Sequence, residues 1–276
     1  MTETGGRPEG RPPTAPASSR QPLLELRGIS KRFGAVQALS EVDFEVYPAE
    51  VVALVGDNGA GKSTLIKTMA GIYIPDSGEI WFEGKHVPVH GPRDSAALGI
   101  ATVYQDLAMC GNLDVVGNLF LGREIHRAGL LDEVEMERRT RDQLNALSLG
   151  VPDVRAPVAS LSGGQRQTVA ISRSLLGKPK LLLLDEPTAS LGVDQANRLL
   201  DLIEKLRDGG LGVLLISHNM GDIKAIADQV AVLRLGRNNG FFDVNTTPQE
   251  QITSAVIGAS DNAVAHRTTT GDEAWP

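Results

Sequence analysis

The segment GDNGAGKS, residues 56–63, constrains the fold of this chain more than any other part of its sequence. Its glycines allow backbone N–H groups to turn inward, where side chains would obstruct the approach of a ligand. The nearly continuous apolar run EVVALVG before it predicts a buried strand. The residues KSTLIKTMAG after it have helical spacing, with Leu65, Ile66 and Met69 on one face. A strand, a glycine-rich loop and a helix in this order favour phosphate binding over the alternative, a turn before an ordinary helix.

The segment matches the P-loop pattern G-x-x-x-x-G-K-[ST], and its parts have distinct chemical roles. Lys62 would reach the terminal phosphates of a nucleotide, and the hydroxyl of Ser63 would be a ligand of Mg²⁺. The helix that follows points its positive N-terminal end at the same anion. The predicted nucleotide contacts of this loop are Gly56, Asp57, Asn58, Gly59, Ala60, Gly61, Lys62, Ser63 and Thr64.

A second apolar run, LLLLDEP, predicts a buried strand that ends in two carboxylates. At the C-terminal end of that strand, Asp185 would lie beside the phosphate loop and hold Mg²⁺, through water. Glu186 would polarise the attacking water as a general base. Two solvated carboxylates at a strand end are the alternative, and Lys62 upstream favours hydrolysis of a nucleoside triphosphate.

The alternation of strand and helix patterns indicates the fold class. LLELRGISKRF is typical of an edge strand, and ALSEVDFEVYP alternates like a half-buried one. Beyond Lys180, the short strands LLLLDEP and GVLLISH flank the amphipathic helix DQANRLLDLIEKLRDGG, which predicts a largely parallel α/β sheet covered by helices. Residues 91–161 are mostly helical in pattern, with Val134, Leu144 and Leu147 as the apolar positions of one solvated helix.

Composition excludes several functions. The chain has 27 Lys and Arg against 34 Asp and Glu, and the net charge of −7 argues against non-specific binding of nucleic acid. Aromatic residues make up 4%, too few for a platform that stacks single-stranded bases. Cys110 is the one cysteine, which suits a reducing compartment, and it has no evident partner base as a nucleophile. Because no apolar run approaches about 20 residues, we expect any membrane role to be peripheral.

The two ends of the chain are expected to be unstructured. Residues 1–22 are rich in Pro, Gly, Ser and Arg, so we expect a disordered leader, and they contain no apolar segment of a secretory signal. From residue 260 the apolar periodicity is lost, which predicts a flexible tail. His86 and His90 are expected in a loop, because Pro88 disfavours the helix that would align them as metal ligands.

The segment LSGGQ makes the pattern specific. Ser162 can cap the helix QRQTVAISRSLLG, while Gly163 and Gly164 leave amides open for an anion. Preceded by the P-loop (Walker A) and followed by LLLLDEP, LSGGQ resembles the signature motif of ABC ATPases; a capped helix start is the alternative. The resemblance covers residues 24–258.

The family implies a fold and a domain arrangement. The expected fold is the α/β P-loop NTPase (RecA-like) fold, with a parallel-sheet core, an antiparallel β edge and an inserted α-helical signature subdomain. The ATP-binding domain would span residues 23–259, and the helical subdomain about 106–176.

The resemblance also implies roles for residues outside the P-loop. The signature residues Ser162, Gly163, Gly164 and Gln165 would bind the γ-phosphate of ATP held by a second subunit, so that two chains complete each site. Gln105, in ATVYQD, resembles the glutamine that touches Mg²⁺ and relays to the permease, although a lone Gln is usually a surface amide. His218 resembles the histidine that contacts the γ-phosphate. Phe33 resembles the aromatic residue that stacks on adenine, and an ordinary core Phe is its alternative.

One motif departs from the family pattern. The D-loop commonly reads S-A-L-D, whereas this chain has Ala-Ser-Leu-Gly at residues 189–192. The missing carboxylate at Gly192 puts in doubt any contact across a dimer that depends on Asp. Asp194 lies two residues further on, and backbone contacts of the loop could survive the change.

The stretches GIYIPDSGEI, GPRDSAALGIATVYQDL and NLFLGREI resemble the carbohydrate-importer branch of bacterial ABC ATPases, as does EPTASLGV. This resemblance implies an ATP-hydrolysing, Mg²⁺-dependent subunit at the cytoplasmic face of the bacterial inner membrane, energising uptake of a fructose- or ribose-like monosaccharide. Its partners would be an integral membrane permease and, indirectly, a periplasmic or extracellular sugar-binding protein, with no nucleic acid. Because a single set of motifs is present, we expect an ATP-sandwich homodimer.

Other functions remain open at this stage. Within transport, the alternatives are an importer of another solute, such as branched-chain amino acids, and the motor of an exporter. A non-transport ABC ATPase usually has tandem cassettes or a long coiled-coil insertion, and neither is visible. A degenerate cassette acting as a binding module would be expected to lack Lys62, Glu186 or His218, all of which are present.

Overall fold

The computed structural model describes residues 21–147, 151 and 153–259. Its strands in chain order are β1 (Leu24–Phe33), β2 (Val36–Val46), β3 (Val51–Val55), β4 (Ser77–Phe82), β5 (Lys85–His86), β6 (Ile100–Val103), β7 (His126–Arg127), β8 (Leu130–Leu131), β9 (Leu181–Asp185), β10 (Gly212–Ile216), β11 (Gln229–Arg234) and β12 (Arg237–Asp243). Its helices are α1 (Lys62–Met69), α2 (Pro92–Leu98), α3 (Val115–Phe120), α4 (Glu133–Ala146), α5 (Gly163–Leu175), α6 (Val193–Asp208), α7 (Met220–Ile226) and α8 (Gln249–Ile257), with a 3-10 helix at Val158–Ser160. Most of the predicted leader and the predicted tail lie outside the described residues.

The centre of the molecule is a sheet in the order β12-β11-β3-β10-β9-β6. All neighbouring strands are parallel except β11 and β12, which form an antiparallel hairpin. The side chains of β3 and β10 are buried along their whole length, as expected for strands covered on both faces. The predicted α/β fold with a parallel core is therefore confirmed.

The register of the parallel strands aligns their carboxyl ends. Ile216 on β10 lies opposite Leu54 on β3 and opposite Asp185 on β9. In an open parallel sheet, the loops beyond the carboxyl ends form the crevice where ligands bind. The P-loop follows β3, so this edge of the sheet is where the functional residues are expected.

A second, antiparallel sheet has the order β2-β1-β4-β5 and provides the predicted antiparallel part. The expectation that β1 is an edge strand is wrong, because Leu26 pairs with Phe44 on β2 and with Ile80 on β4. The side chains of Leu24, Leu26 and Ile29 are fully buried in an apolar core cluster. The second partner, β4, follows α1 in sequence, so the local pattern could not reveal it.

The buried residues of the P-loop helix are those that the sequence pattern predicted. In the middle of the chain, the prediction was correct only in part. In α1 the predicted Leu65, Ile66 and Met69 are all buried. In α4, however, Val134 is 81% exposed, and the buried positions are Met136, Thr140 and Leu144. Val134 lies between Glu133 and Glu135 in the first turn of the helix. The buried face is instead formed by residues at a spacing of four, which begins at Met136. Residues 91–161 also contain β6 and the β7–β8 hairpin, so this region is less helical than predicted.

The segment predicted as a helical subdomain packs around an apolar cluster that is separate from the two clusters on the sheet. This cluster joins α3, α4 and the N-terminal half of α5. Its buried members are Val115, Val116, Leu119, Phe120, Met136, Leu144, Val154, Val158, Leu161 and Val169. Leu161 of the signature segment thus packs in this helical cluster, while the C-terminal half of α5 packs on the sheet.

Two negative findings apply to the described part of the chain. No helix there is long and apolar enough to cross a membrane, and no group of His, Cys, Asp and Glu residues forms a metal cluster. The expectation that His86 lies in a loop is wrong. His86 belongs to the short strand β5 and pairs with Trp81 on β4, and the centroids of the two rings are 5.6 Å apart. His90 precedes α2, where its backbone N–H donates to the carboxylate of Asp94.

Candidate nucleotide-binding site

Loops at the carboxyl edge of the central sheet hold most of the predicted site. Gly56 follows β3 and Glu186 follows β9, while His218 lies two residues beyond β10. The backbone N–H of Glu186 donates to the carbonyl oxygen of Ile216 at 3.0 Å, which extends the β9–β10 ladder by one bond. Residues far apart in sequence are thereby brought to one edge.

The P-loop lies so close to its neighbours that side chains would not fit at two of its glycines. Gly61 has a φ of 104°, and a Cβ atom there would come within 2.6 Å of the carbonyl oxygen of Ala38 on β2. At Gly56, with a φ of 151°, a Cβ atom would overlap the carbonyl oxygen of Leu233 on β11. Only glycine accommodates both the backbone conformation and the close approach.

Lys62 bends back over the loop that it follows. Its Nζ donates to the carbonyl oxygens of Gly56 at 2.6 Å and Asp57 at 3.0 Å. Burial lowers the pKa of Lys62, and the negative charges of Glu186, Asp57 and Asp185 oppose this shift. The ammonium group is thus held among acids and backbone oxygens, where a phosphate would be a stronger partner because the bond would be assisted by charge on both sides.

Asp185 is half-buried at the end of β9. Burial raises the pKa of its carboxyl group and the charge of Glu186 adds to the increase, whereas Lys67 and Lys62 oppose it. Ser63 presents an exposed hydroxyl in the first turn of α1. A carboxylate and a hydroxyl are the hard oxygen donors that suit Mg²⁺, so the donor set of this site fits the ion.

Glu186 and His218 are in direct contact. The Oε2 atom of Glu186 lies 3.3 Å from Nδ1 of His218, and the His side chain is 72% exposed. Glu186 also has a φ of 49°, in the left-handed region that non-glycine residues rarely adopt. Such backbone strain is concentrated at functional sites, where the surrounding structure enforces it. The pair therefore combines a carboxylate on a strained backbone with an exposed imidazole.

The signature segment begins α5 as predicted. The Ser162 hydroxyl accepts from the backbone N–H of Gln165 at 3.3 Å, and the Gln165 side chain accepts from the backbone N–H of Ser162 at 2.9 Å. This reciprocal capping box fixes the start of the helix. It leaves the N–H groups of Gly163 and Gly164 in the first turn, where backbone donors have no partner within the helix.

The P-loop and the signature segment pack against different elements. The neighbours of the P-loop glycines are on β2 and β11. A Cβ atom at Gly163 would lie 3.9 Å from the carbonyl oxygen of Ser190. A Cβ atom at Gly164 would lie 2.8 Å from Cδ of Gln195. The signature glycines therefore pack against the D-loop segment and the start of α6.

The D-loop departure has a clear structural position. Gly192 is the N-cap residue of α6, with φ −70° and ψ 161°, and contributes no side-chain cap. Asp194 lies in the first turn of the same helix. A Cβ atom at Gly192 would meet nothing within 4 Å, so neither space nor conformation requires glycine there.

The remaining predicted residues are peripheral. Gln105 is exposed two residues beyond β6, and Asp57 and Asn58 are exposed in the P-loop. Phe33 is 41% exposed at the end of β1, which disfavours its alternative interpretation as a core residue.

Two tyrosines near the site were not anticipated from the sequence. Tyr104 follows β6, and burial together with the charge of Asp185 raises its pKa, although a hydrogen bond with Thr102 opposes the shift. Tyr73 lies edge to face with Phe33, at 4.9 Å between ring centroids. Tyr104 precedes Gln105 in the sequence and could have been noticed, whereas the neighbour of Phe33 depends on tertiary structure.

The sequence matches the ABC transporter family profile over residues 39–189. Among curated proteins, it is 44% identical to the fructose import ATP-binding protein FrcA of Rhizobium meliloti, over 79% of this chain and 87% of that protein. It is also 44% identical to the xylose/arabinose import ATP-binding protein XylG of Sulfolobus acidocaldarius, over 85% and 93% of the two chains. It spans about half of the ribose import ATP-binding protein RbsA 1 of Rubrobacter xylanophilus, at 41% identity and 48% of that protein's length.

Solved structures give the same result for the fold. A nucleotide-free ATP-binding cassette from an ABC transporter superposes with a TM-score of 0.74 at 25% identity, covering 88% of this chain and 98% of that one. An ABC transporter cassette in its ADP conformation superposes with a TM-score of 0.72 at 25% identity, covering 86% and 95%.

Proposed function

Because the chain belongs to the family of ABC transporter ATP-binding proteins, we propose that it hydrolyses ATP to drive uptake of a monosaccharide through a separate membrane permease. The observation that carries this proposal is the 44% identity, over most of both chains, to ATP-binding proteins named for fructose and for xylose/arabinose import. The residues that hydrolysis needs at the edge of the sheet are intact. A fructose- or ribose-like sugar is the proposed cargo.

Phosphate binding is assigned to the P-loop. The amides of residues 56–64 surround the phosphates, and Lys62 neutralises the terminal ones from the position that it holds among acids. Ser63 and Asp185, together with Gln105, would hold Mg²⁺. When bound, this ion neutralises charge on the phosphates.

Water activation is assigned to Glu186 as general base. Its carboxylate accepts a hydrogen bond from the attacking water, while His218, 3.3 Å away, orients it and donates to the γ-phosphate. The strained backbone of Glu186 and its bond to Ile216 restrict where the carboxylate can point.

Each complete site is proposed to need two copies of the chain. The signature glycines of one chain pack near its own D-loop segment, and their free amides are proposed to bind the γ-phosphate of ATP on the P-loop of a second copy. ATP binding would close the two chains face to face, and hydrolysis and phosphate release would reopen them.

The cellular setting follows from this role. ATP is hydrolysed at the cytoplasmic face of the bacterial inner membrane, where the protein is proposed to be peripherally attached to an integral permease. The segment around Gln105, exposed beyond β6, is proposed to transmit closure to the permease. A periplasmic or extracellular sugar-binding protein would select the cargo.

A base substitution tests the hydrolytic part of the proposal. Glu186→Gln should bind ATP with unchanged affinity, hydrolyse it at least ~100-fold more slowly and accumulate as a closed dimer. Steady-state phosphate release, isothermal titration with Mg-ATP and size-exclusion chromatography measure these three properties. The exposed Glu250→Gln serves as the matched control and should behave as wild type. Undiminished hydrolysis by Glu186→Gln would disprove the base assignment.

Transport assays test the cargo. A deletion strain should lose uptake of one radiolabelled monosaccharide among fructose, ribose and xylose, and the wild-type gene but not the Lys62→Ala variant should restore it. Loss of leucine uptake instead would identify the alternative, an importer of branched-chain amino acids. Unchanged uptake of all these solutes, in a strain whose purified protein hydrolyses ATP, would overturn the proposed cargo and leave an importer of another solute, an exporter motor and a non-transport ABC ATPase as the alternatives.

A further inference from the structure

The ring of Phe33 is held by a second aromatic ring from a distant part of the chain. Phe33 ends β1, and Tyr73 lies just beyond α1, where its ring is tilted by 69° to that of Phe33 at 4.9 Å between centroids. This T-shaped arrangement places the positive edge of one ring against the negative face of the other, which is the favoured geometry for an aromatic pair.

Hydrogen bonds connect Tyr73 to α1, and they connect the end of β1, which carries Phe33, to the loop after α1. The backbone N–H of Tyr73 donates to the carbonyl oxygen of Lys67 on α1 at 3.1 Å, and the Lys67 ammonium lies 5.7 Å from the Tyr73 ring. Asp76 accepts from Lys31 Nζ at 2.8 Å and from the backbone N–H of Arg32 at 2.7 Å. These bonds lower the pKa of the Asp76 carboxyl and hold the end of β1 against the loop that carries Tyr73.

The aromatic pair lies beside the phosphate cradle. Gly61 of the P-loop is packed against the carbonyl oxygen of Ala38 on β2. Val36, two residues earlier and therefore about 7 Å along the strand, is directly opposite Phe33 in the β1–β2 register. A nucleotide whose phosphates are bound at this loop would thus have its base near the Phe33 ring.

Phe33 alone would be a poorly oriented platform. It is 41% exposed, and Val36 opposite it is 65% exposed. On its own strand the ring is contacted by the Lys31 ammonium, 5.6 Å from the ring centroid, which is a point charge on a flexible stem and fixes the tilt of the ring less than a second ring does. Binding a base to a mobile ring requires that ring to be immobilised, which weakens the affinity. A ring already fixed by Tyr73 avoids this loss.

We propose that Tyr73 is a positioning residue for the nucleotide base: packed edge to face, it holds the Phe33 ring in the orientation on which the base stacks. This inference rests on the proposed function, in which Phe33 stacks on adenine. It adds that the loop after the P-loop helix determines how strongly the base contributes to binding.

The test separates base binding from phosphate binding. Isothermal titration of the full chain with Mg-ATP and with Mg-tripolyphosphate, which has no base, is performed on the wild type and on the variants Tyr73→Ala, Tyr73→Phe, Phe33→Ala and the Phe33→Ala/Tyr73→Ala pair. Ile74→Ala, an exposed apolar residue of the same loop, is the matched control.

We expect Tyr73→Ala to weaken Mg-ATP binding about three- to tenfold and to leave tripolyphosphate binding unchanged. Tyr73→Phe keeps the ring and should bind like the wild type, as should Ile74→Ala. In the double variant the two effects should not add, because Tyr73 acts through Phe33.

Three results would overturn the inference: wild-type ATP affinity in Tyr73→Ala, an equal loss for ATP and tripolyphosphate, or additive losses in the double variant. The second result would indicate that Tyr73 only supports the fold of the loop. Failure of the proposed function is a different result, in which the wild-type chain binds neither ligand.

Discussion

Asp185 and Glu186 are adjacent in sequence, yet the structure gives them different surroundings. Asp185 ends a strand within the sheet and is half-buried, whereas Glu186 turns out of the sheet toward the exposed His218. Two acids whose environments differ in this way can serve different chemical roles. The strand end suits a fixed metal ligand, and the accessible pair suits proton transfer.

The burial of Asp185 predicts an effect on stability. Its raised pKa means that the folded protein binds the proton more tightly than the unfolded chain does, so ionisation of Asp185 near neutral pH destabilises the folded state. Asp185→Asn keeps the shape and removes the charge. We expect this variant to unfold at a higher temperature than the wild type at pH 7 without nucleotide, and to lose hydrolysis.

The increase in thermal stability of Asp185→Asn should become smaller as the pH falls. As the pH falls toward the ordinary carboxyl pKa of about 4, the wild-type Asp185 becomes protonated and the advantage of Asn should disappear. Calorimetry from pH 7 to pH 4 measures this, with the exposed Asp201→Asn on α6 as the control that should show no gain. A stability difference that is absent at pH 7, or that grows on acidification, would contradict the assigned cause.

At the scale of residues, the sequence predicted what local motifs encode. The P-loop turn, the Ser162 cap and the acids at the end of β9 follow from spacing within a few residues. Tyr104 lies beside Gln105 in the sequence, but its position near Asp185 arises only in the folded chain. The contact of Tyr73 with Phe33 likewise depends on tertiary structure. The side chains of the two tyrosines carry no motif of their own.

At the scale of elements, the starts of α5 and α6 differ in a way that bears on the D-loop. Helix α5 has a complete capping box, whereas α6 begins at Gly192 without a side-chain acceptor. The aspartate common in the family would occupy the N-cap position here, one of the residue types preferred at a helix start. An aspartate at residue 192 would therefore stabilise the start of α6, apart from any contact across a dimer.

The substitution Gly192→Asp separates these two roles. The backbone angles at Gly192 suit any residue, and the space is open, so Asp should cap α6 and interact favourably with the helix dipole. We expect Asp to raise the free energy of unfolding by about 0.3–1 kcal/mol, measured by urea denaturation.

Gly192→Ala is the matched comparison. Both substitutions lower the conformational entropy of the unfolded chain, so this contribution to the free energy of unfolding cancels when the two variants are compared. The remaining difference is the cap, which should make Asp more stable than Ala by about 1 kcal/mol. Equal stability of the two variants would show that residue 192 does not cap α6 in solution. An unchanged rate of ATP hydrolysis in Gly192→Asp would show that a carboxylate at residue 192 does not affect hydrolysis.

Element prediction succeeded where burial was two-sided or strongly periodic, as in β3, β9, β10 and α6. It was wrong where long-range pairing decides, because β1 gains its second neighbour from β4 after the P-loop helix. In α4 the abundant charges obscured which apolar residue faces the core, and Val134 is exposed. Periodicity indicates that a face exists but not always which residues belong to it.

At the scale of the molecule, the main feature is the placement of the two segments that are proposed to bind phosphate. The P-loop follows a strand of the central sheet, whereas the signature segment begins α5, which packs partly on the helical cluster and partly on the sheet. The sequence indicated both segments but not the order of the strands, which arises from pairing across long separations. The proposed dimer would bring the signature segment of one copy to the P-loop of the other.

Mixing two inactive variants tests whether copies share their sites. Glu186→Gln removes the proposed base and keeps the signature. Gly163→Asp keeps the base and places a negative charge where the second copy's γ-phosphate is proposed to bind. The added Cβ atom would meet only an oxygen at 3.9 Å, and an acid in the first turn of α5 favours the helix, so this variant should fold. Each variant alone should be inactive in ATP hydrolysis.

When the two variants are combined before ATP is added, mixed dimers contain one intact site and one site with both changes. With random association, half of the dimers are mixed, so hydrolysis should recover to about a quarter of the wild-type rate. Gly163→Ala in place of Gly163→Asp is the control for the added volume, and should retain activity alone. If each chain instead completed its own site, both variants would stay inactive in every combination, because no chain in the mixture would carry both the base and an intact signature.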